Sequence, residues 1–489
     1  MSLDDALSQV GEFGRYQKLV IIAIFVSCTI TGNVTLLGFF AETEPTSWTC
    51  VGAAPPPQSP ALSPDDVACR QWENGTCEIG YTLKRDTVVN EWNIICSDKW
   101  KMGLSTSAYF VGVGVGSFLF GWISDRWGRR FTVLTSFILT DLSIFLTVLA
   151  PSYSFYVFLR LFAGFSSSSL LSTSFVIVGE IVGPSSRESA QNFVQSSFTF
   201  GMIILGLVAM SVKNWRRLSA VTAVPGVAFF FILWRFLPES PRWLLLQNRK
   251  VEYEALLKKM AAVNGSSISR ENLIVSPLSR KEGKTVAKRS GLIDILVHRE
   301  ARRRLCITAY LWFVSSLVYY GLSMNANLGS SLYVSYLASA LAELPSLVVS
   351  SYLLKKQGRK KSNISFAVLT AVFLCLAAFF SRSKNSNSGQ LLLTVSILGK
   401  FSVSALFANA YIYTGELAPT EVRSFILGIN SIAARLGGII LPYVLMLRDF
   451  YEPLPFIVFA GTTLFLAATL PFLPETRNTS LPETLSDLN

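Results

Sequence analysis

Apolar stretches recur along the whole 489-residue chain and alternate with shorter polar connections. Most stretches hold about 20 residues, the length that an α-helix needs to cross the hydrocarbon core of a bilayer. Backbone that faces lipid must satisfy its own hydrogen bonds, so these stretches are expected to be helical. Twelve spans are predicted, at 19–40, 102–122, 131–150, 154–178, 193–212, 218–237, 303–323, 330–354, 363–381, 390–414, 424–447 and 454–473. The pattern therefore predicts an all-α membrane protein.

Composition and charge agree with that class. Hydrophobic residues make up 51% of the chain and charged residues 15%, while the net charge is +12. The basic residues cluster in connections between spans, as in the cytoplasmic loops of membrane proteins, so we expect a lipid bilayer and no nucleic acid as partner. The first apolar run follows a polar, acidic start and is interpreted as a span, not as a cleavable signal peptide. An even number of spans puts both ends, 1–18 and 474–489, on one side, and the basic connections make that side the cytoplasm. We therefore expect a multi-pass protein of the plasma membrane with both termini in the cytoplasm.

The segment 41–101 differs from the rest of the chain. It holds nine acidic and five basic residues, a net charge of −4, which favours an extracellular position. Four of the seven cysteines lie in it, Cys50, Cys69, Cys77 and Cys96. They predict two disulfides with three connectivities open. Asn74 begins its Asn-x-Thr site, so this residue is the expected site of glycosylation.

The remaining cysteines, Cys28, Cys306 and Cys375, lie in apolar runs and are expected to be buried thiols. The connection between the fifth and sixth spans is external in this topology. It carries Lys213, Arg216 and Arg217, a local exception to the rule that positive charge stays inside. The central segment 238–300 has twelve basic and seven acidic residues, net +5, and is assigned to the cytoplasm. Its stretch 252–263 predicts amphipathic helix on the membrane surface.

A short basic turn joins the second and third spans. Its glycines allow a tight reversal, and its arginines cannot enter hydrocarbon. The residues concerned are Gly121, Asp125, Arg126, Gly128, Arg129 and Arg130.

Several motifs occur twice. Gly179-Glu180 with Arg187 recurs as Gly415-Glu416 with Arg423, and Glu239 recurs as Glu475, each shifted by 236 residues (416 − 180, 475 − 239). Gly128-Arg129-Arg130 recurs as Gly358-Arg359-Lys360, shifted by 230 (358 − 128), but Lys355 stands where the first copy has Asp125.

The turn motif and its repeats resemble those of the major facilitator superfamily of transporters. The cysteine-bearing loop, Pro238-Glu239-Ser240-Pro241-Arg242 and the motif 411–423 further resemble the organic cation, carnitine/zwitterion and organic anion carriers, with the second half closest to the carnitine and zwitterion branch. The resemblance implies two pseudo-symmetric six-helix bundles, 19–237 and 301–473. Substrate would bind between the bundles near mid-membrane, and transport would proceed by alternating access. It also implies a polyspecific carrier of small organic ions that moves carnitine-like zwitterions or organic cations. A monomer is expected, with weak oligomers as the alternative.

Ionisable residues within spans are candidates for substrate contact, because charge at membrane depth is expensive. Arg435 can hold a carboxylate through two hydrogen bonds, and Glu343 is the opposite charge that could receive an ammonium group, a proton or a sodium ion. Each could instead be a structural ion pair. Arg160 and Lys400 are assigned to span ends, where long side chains reach water, and Asp141 has no assigned role.

Aromatic residues of the seventh span form a second candidate group. Trp312 and Tyr319 are two helical turns apart and share a face, with Tyr320 beside them. Aromatic faces attract quaternary ammonium groups, although such stripes more often serve packing. Both residues, together with Asn33 of the first span, match substrate-facing positions of the resembling family. Asn33 could alternatively form an interhelical hydrogen bond.

Charged residues near the inner ends of the spans are predicted to form a network that closes the cytoplasmic gate. Besides the turn residues, this network includes Glu180, Arg187, Glu239, Glu416, Arg423 and Glu475. Enzyme chemistry is not expected, since the only histidine is His298 in the central segment. No cofactor or metal is expected, apart from Na⁺ or H⁺ as a coupling ion. The alternatives are an organic anion exchanger and a receptor or scaffold that does not transport.

Overall fold

The computed structural model describes residues 3–43, 47–51, 64–82, 85–266, 292–325, 331–383, 388–419, 421–477 and 482–488. Parts of the predicted external and central segments and of the tail therefore lie outside the described residues. Helices dominate the described chain, and twelve of its helical segments are long and apolar enough to cross a membrane. The prediction of an all-α protein with twelve spans is confirmed.

The first half contains α1 Leu3–Gly11, α2 Arg15–Ala41, α3 Pro64–Glu73, α4 Val88–Glu91, α5 Lys101–Trp127, α6 Arg129–Thr147, α7 Tyr153–Ile181, α8 Arg187–Gln195, α9 Ser197–Ser211 and α10 Trp215–Phe236. The central segment contains α11 Pro241–Leu246, α12 Lys250–Asn264 and α13 Leu292–Val297. The second half contains α14 Arg299–Met324, α15 Leu332–Leu341, α16 Glu343–Gln357, α17 Arg359–Arg382, α18 Ser388–Leu417, α19 Arg423–Met446 and α20 Leu454–Thr469. Short 3-10 turns lie at Cys96–Asp98, Leu447–Asp449, Leu470–Phe472 and Leu485–Asp487.

Helix packing is mostly within each set of six spans. In the first half, Gly112 and Gly116 of α5 and Gly164 of α7 bring two backbones together, because a Cβ at any of them would overlap a carbonyl oxygen of the other helix. Small residues serve this purpose in membrane helices, where lipid removes the hydrophobic drive for association. The exact domain boundaries given from the sequence remain predictions.

Two spans are each built from two helices. The fifth is interrupted between α8 and α9 at Ser196, and the eighth between α15 and α16 at Ala342. Pro345 has no backbone N–H to donate to Leu341, so the eighth span loses one bond of its helical ladder at this point. Glu343 begins the second piece of that span.

The side of the membrane that bears both chain termini, predicted to be cytoplasmic, is called the inner side, and the side that bears 41–101 the outer side. On the outer side, β1 Ser47–Val51 pairs antiparallel with β2 Glu78–Thr82, with Trp48 opposite Tyr81. Cys69 and Cys96 form a disulfide, and Cys77 is also disulfide-bonded. The side chain of Cys50 lies outside the described residues. Asn74 is exposed in this segment, and its glycosylation remains a prediction.

One of the basic residues of the outer connection 212–217, Arg216, is locally neutralised, which reduces the exception to the charge rule. The Arg216 side chain forms an ion pair with Glu91 and donates a 2.7 Å hydrogen bond to the Ala150 carbonyl oxygen. The acidic external segment thus supplies the counter-charge for this position.

Two expectations about exposure were wrong. Cys306 and Cys375 are exposed on their helices, and only Cys28 of the three free cysteines is buried. Apolar sequence in a span does not imply burial in protein, since lipid-facing surface is equally apolar. The helix α12 also does not present its apolar face to the membrane. Tyr253, Leu257 and Met260 are buried in a cluster with Leu3 and Leu7 of the N-terminal helix.

Candidate functional site

A buried ion pair lies in the second half, near the middle of the membrane. The Lys400 ammonium is 2.8 Å from Glu343 Oε1, and both side chains are almost inaccessible to solvent. The Lys400 Nζ atom also donates to Ser323 Oγ at 2.6 Å and lies 3.1 Å from the centre of the Tyr319 ring. The assignment of Lys400 to a span end was wrong, because it lies well inside α18 and turns inward. A sequence does not show which residue of another helix an ammonium group faces.

Glu343 connects the two halves. Its Oε2 atom accepts a 2.7 Å hydrogen bond from Thr199 Oγ1 of the first half. Thr199 lies just after the interruption of the fifth span, and Glu343 just after that of the eighth. Interrupted helices at mid-membrane are a recurrent feature of transporter binding sites. This bond must break when the halves separate here.

The aromatic residues predicted on the seventh span face one cluster. Trp312 and Tyr319 both contact Phe407 of α18, with ring centres 6.3 Å and 5.8 Å away, so the prediction that they share a face is confirmed. Trp312 also packs on Tyr411 at 4.1 Å and donates from Nε1 to Thr414 Oγ1 at 3.0 Å. Although Tyr411 packs on this buried ring, 47% of its own surface is accessible, so the cluster borders open space.

Tyr320 faces the first half, with its ring 4.9 Å from that of Phe110 on α5. Arg435 of α19 lies within electrostatic range of the hydroxyl groups of Tyr320 and Tyr411. Its Cγ atom is 4.0 Å from the position that a Cβ on Gly114 of α5 would occupy, so the arginine lies at the boundary between the halves. Its Nε atom is buried and has no hydrogen-bond partner in the described chain.

Asn33 of α2 is buried, and its Oδ1 atom likewise lacks a partner among the described residues. Asn33 and Arg435 are thus two predicted substrate residues with buried polar atoms left unsatisfied. Such atoms are rare in folded proteins and mark places where a ligand or water can supply the missing bond.

Contacts between the halves close the outer side above this region. Phe39 stacks on Tyr336 at 5.3 Å, and Phe40 packs edge-on to Tyr336 at 4.8 Å. The Arg85 side chain from the external segment covers these rings. It donates to Tyr333 Oη at 3.1 Å and to the Ala209 carbonyl oxygen at 3.2 Å. Lys99 and Asp449 add an ion pair of 2.8 Å between the halves. This closure was not predicted from the sequence.

The inner turn of the first half forms a compact charge cluster. Arg129 lies 3.2 Å from Asp125 and 3.4 Å from Glu180. Glu239 Oε1 accepts hydrogen bonds from the backbone N–H of Arg129 at 2.8 Å and of Arg130 at 3.2 Å, at the start of α6. Burial raises the pKa of Glu239 despite these donors and the nearby Arg129 guanidinium.

The second half repeats this turn with different partners. Arg359 donates from Nη2 to Glu416 Oε1 at 2.8 Å and from Nε to Oε2 at 2.9 Å, a two-pronged pair. Glu475 accepts from the backbone N–H of Arg359 at 2.8 Å and of Lys360 at 3.1 Å. Burial would raise the pKa of Glu475, but bonds from four backbone N–H groups outweigh it and lower that pKa.

Two predicted gate arginines have other partners. Arg187 pairs with Asp4 of the N-terminal helix at 2.8 Å, and Arg423 donates from Nε to the Ala418 carbonyl oxygen at 3.2 Å. A Cβ atom at Gly121 would have no atom of another helix within 4 Å. The Arg126 guanidinium lies 5.3 Å from the centre of the Trp122 ring. The rest of the predicted network therefore forms two clusters, each inside one half.

Residues that sequence reasoning missed at the site are Thr199, Lys400, Phe407, Tyr411 and Thr414. Phe407, Tyr411 and Thr414 follow one helical face at intervals of four and three residues, so the periodicity of the tenth span could have revealed them. Asp141 faces Gly226 of α10 inside the first half and is separate from the site. In the described chain, no group of three or more His, Cys, Asp or Glu side chains could hold a metal ion.

Two sets of spans around a mid-membrane cluster define a transporter of the major facilitator fold. The solved structure of the xylose transporter XylE from E. coli, in a partially occluded inward open conformation, has the same fold. Its TM-score is 0.67 at 16% sequence identity, covering 95% of this chain and 100% of that chain.

The family model described as sugar (and other) transporter matches residues 62–487. A solute carrier family 22 member 15-like protein of Xenopus laevis is 33% identical, covering 100% of this chain and 96% of that protein. Organic cation/carnitine transporter 4 of Arabidopsis thaliana is 32% identical, covering 99% of this chain and 90% of that protein. The chain belongs to the sugar (and other) transporter family and, within it, to solute carrier family 22. It is a multi-pass membrane transporter of small organic ions.

Proposed function

We propose that this transporter carries carnitine-like zwitterions, whose carboxylate binds Arg435 and whose ammonium group binds the aromatic cluster of Trp312, Phe407 and Tyr411. Transport proceeds by alternating access across the plasma membrane, with the inner side facing the cytoplasm and the halves 19–237 and 301–473 rocking about the site. The protein acts as a monomer, without catalysis, and Na⁺ or H⁺ is the candidate coupling ion.

The unsatisfied Nε of Arg435 carries this proposal. A guanidinium stays charged at any physiological pH and can hold a carboxylate through parallel hydrogen bonds. Arg435 lies where the halves meet, beside Gly114, and its Nε has no partner in the described chain. A substrate carboxylate would supply the missing acceptor and contact both halves through one residue.

The ammonium end requires a revision of the role first assigned to Glu343. Its carboxylate is held by Lys400 at 2.8 Å and by Thr199 at 2.7 Å, so it is already neutralised. The open face of Tyr411, backed by Trp312 and Phe407, is the better place for a quaternary ammonium group. Cation–π attraction there contributes about 0.5–2 kcal/mol. The name of the Arabidopsis relative, organic cation/carnitine transporter 4, agrees with such a substrate.

An organic anion is the second candidate substrate, and a specific observation favours it. Arg435 and the Lys400–Glu343 ion pair all lie in the second half, and together these three side chains carry a net charge of +1 (2 − 1). A net positive site attracts a substrate with net negative charge. The choice between zwitterion and anion depends on how strongly the aromatic cluster binds an ammonium group.

Uptake by cells that express the protein would decide between these substrates. Labelled carnitine, tetraethylammonium and a dicarboxylate would each be tested with wild type and with Arg435→Gln. Arg435→Gln removes charge-assisted hydrogen bonds to the carboxylate, so the apparent affinity for carnitine should be about 10- to 100-fold lower than in wild type. Arg382→Gln, at the exposed end of α17, removes the same charge away from the site and is the matched control.

The outcomes separate the alternatives. Carnitine uptake that is lost in Arg435→Gln and kept in Arg382→Gln supports the proposal. Dicarboxylate uptake without carnitine uptake would instead assign an organic anion carrier. Unchanged carnitine affinity in Arg435→Gln would disprove the role of this arginine. Tyr411→Leu should weaken carnitine binding about 2- to 30-fold and leave the dicarboxylate unaffected.

The inner charge clusters are proposed to stabilise the state that is closed on the inner side. Asp125, Arg129, Glu180 and Glu239 hold the first turn, while Glu416 and Glu475 hold the second. Substitution of Arg129 should therefore favour the inward-open state. It should change the rates for all substrates alike, without changing their ratio.

A further inference from the structure

A cleft of about 210 Å³ opens at the inner end of the first half, away from the transport site. It lies between the end of α10, the start of α6 and α2, and the face of α12. Three basic side chains line it, Arg130, Arg235 and Lys259, together with two carboxylates and Tyr16. Helices of the membrane domain and of the central segment thus contribute cations to a single cleft.

The two lining carboxylates are engaged by other groups. Glu239 accepts backbone N–H bonds from Arg129 at 2.8 Å and from Ser240 at 2.9 Å. Glu252 accepts a 2.7 Å bond from Arg249 Nε on its own helix. Neither carboxylate forms an ion pair with a lining cation within the described chain, and the ionisable side chains that line the cleft carry a net charge of +1 (3 − 2).

The three cations have no ion pair within the described chain. Arg130 donates from Nη2 to the Trp234 carbonyl oxygen at 3.1 Å, and its Nε is buried without a hydrogen-bond partner. Lys259 lies 5.9 Å from the centre of the Tyr16 ring, and Arg235 lies 5.7 Å from that of Phe236. The cleft therefore offers several unpaired donors that a multiply charged anion could engage.

The position of the cleft indicates which anion would reach it. Phe236 of α10 lines the cleft, and Phe231, Trp234 and Phe236 are all exposed near the end of this helix. Exposed aromatic side chains, tryptophan above all, are typical of the headgroup level of a bilayer. Basic clefts at this level on the cytoplasmic side suit the headgroups of anionic lipids.

We propose that this cleft binds the phosphate-bearing headgroup of an anionic phospholipid of the inner leaflet. The headgroup phosphates bind Arg130, Arg235 and Lys259, and the acyl chains lie along the aromatic end of α10. The bound lipid connects α12 to α6 and α10 and neutralises charges that otherwise repel one another. This site is independent of the transported substrate.

Thermal unfolding of the full-length protein in detergent tests the site. Dioctanoyl phosphatidylinositol 4,5-bisphosphate would be titrated into wild type, Arg235→Gln/Lys259→Gln and Lys250→Gln/Lys258→Gln. The last variant removes two charges from exposed positions of α12 that do not line the cleft. The lipid should raise the unfolding temperature of wild type and of this control saturably. Its apparent affinity for the cleft variant should be about 30-fold weaker.

Dioctanoyl phosphatidylcholine and inorganic phosphate are the reference probes. Phosphatidylcholine should give no saturable shift, and inorganic phosphate a much weaker one than the anionic lipid. Equal shifts in all three proteins would overturn the site. An equal effect of inorganic phosphate, lost in the same variant, would overturn its assignment to a lipid. A high salt concentration should weaken lipid binding to wild type, since the contacts are electrostatic.

Discussion

The two halves of this transporter are alike at their inner turns and unlike at mid-membrane. In each turn a glycine with positive φ, Gly128 at 101° and Gly358 at 90°, precedes a helix whose first N–H groups bind a glutamate from a distant segment. At mid-membrane, the second half supplies Arg435, Lys400 and Glu343. From the first half, the neutral Thr199 donates to Glu343, and Asn33 is a neutral buried residue of α2.

This difference indicates that both halves share the structural role of the inner turns, whereas the charged groups of the candidate site come from the second half. A helix N-terminus attracts negative charge whatever the substrate, so duplication can retain the same capping carboxylate in both halves. Charges within the membrane are expensive and persist where they have a partner or a function. The charged residues of the candidate site, Arg435, Lys400 and Glu343, all belong to the second half, whereas Asp141 of the first half lies away from the site. This distribution implies that substrate selectivity is set mainly by the second half.

Removing one member of the central ion pair should have the largest effect. Lys400→Met leaves the Glu343 carboxylate buried without its cation, which should cost about 3–5 kcal/mol of stability. Lys400→Met/Glu343→Gln removes both charges and should recover most of that loss. Thermal unfolding of the purified variants measures both effects. Asn33→Ala in the first half should cost about 1 kcal/mol or less. A cost as large as that of Lys400→Met would contradict the asymmetry.

Substitution of the two turn arginines should also destabilise the second half more than the first, but by less than loss of Lys400. Arg359 holds both oxygens of Glu416 at 2.8–2.9 Å, whereas Arg129 lies 3.4 Å from Glu180. Charge-assisted bonds with good geometry contribute about 1.5–3 kcal/mol. Arg359→Ala should therefore lower the unfolding temperature more than Arg129→Ala. If Arg129→Ala lowered the unfolding temperature more than Arg359→Ala, the shorter contacts of Arg359 with Glu416 would not correspond to a larger contribution to stability.

Substitution of the turn glycines should destabilise both halves to a similar extent, because the two turns have the same backbone conformation. A side chain at Gly128 or Gly358 would occupy a positive-φ, extended conformation that is adopted essentially by glycine alone, at a cost of about 1–3 kcal/mol. Its Cβ would also collide with the carboxylate of Glu239 or Glu475. Gly128→Ala and Gly358→Ala should each lower the unfolding temperature by similar amounts. Gly121→Ala, with open space at the Cβ position, is the control and should change little. A large loss in only one turn would contradict the equivalence.

The parts of this molecule that follow local rules could be predicted from sequence. Apolar length gave the twelve spans, and repeated motifs gave the paired turns, because both depend on residues close together in the chain. The ion pair of Lys400 with Glu343 could not be predicted, since it joins helices 57 residues apart (400 − 343) whose rotation depends on packing. The contacts of Arg85 with Tyr333 and Ala209 on the outer side could not be predicted either, because Arg85 lies in a loop without helical periodicity. Arg435 was identified because a charge inside an apolar run is conspicuous without any structure.

The capping glutamates provide the finest comparison, since their pKa values shift in opposite directions. The pKa of Glu475 is lowered, so its stabilisation is present above the usual 4.5 and is lost as the pH falls through the lowered value. The pKa of Glu239 is raised, so its stabilisation is present below 4.5 and is lost as the pH rises through the raised value.

A glutamine side chain resembles a protonated glutamate, so Glu→Gln substitutions can test the opposite pKa shifts of Glu239 and Glu475. At neutral pH, Glu475→Gln should lower the unfolding temperature, by an amount that corresponds to about 1 kcal/mol for a lost helix cap. Glu239→Gln should leave it unchanged or raise it slightly, because the ionised carboxylate is disfavoured by burial. The difference between Glu239→Gln and wild type should shrink as the pH falls towards 4.5, whereas that between Glu475→Gln and wild type should shrink only as the pH falls below 4.5. Equal losses at neutral pH would show that both carboxylates act as ionised caps, and that the halves differ at mid-membrane alone.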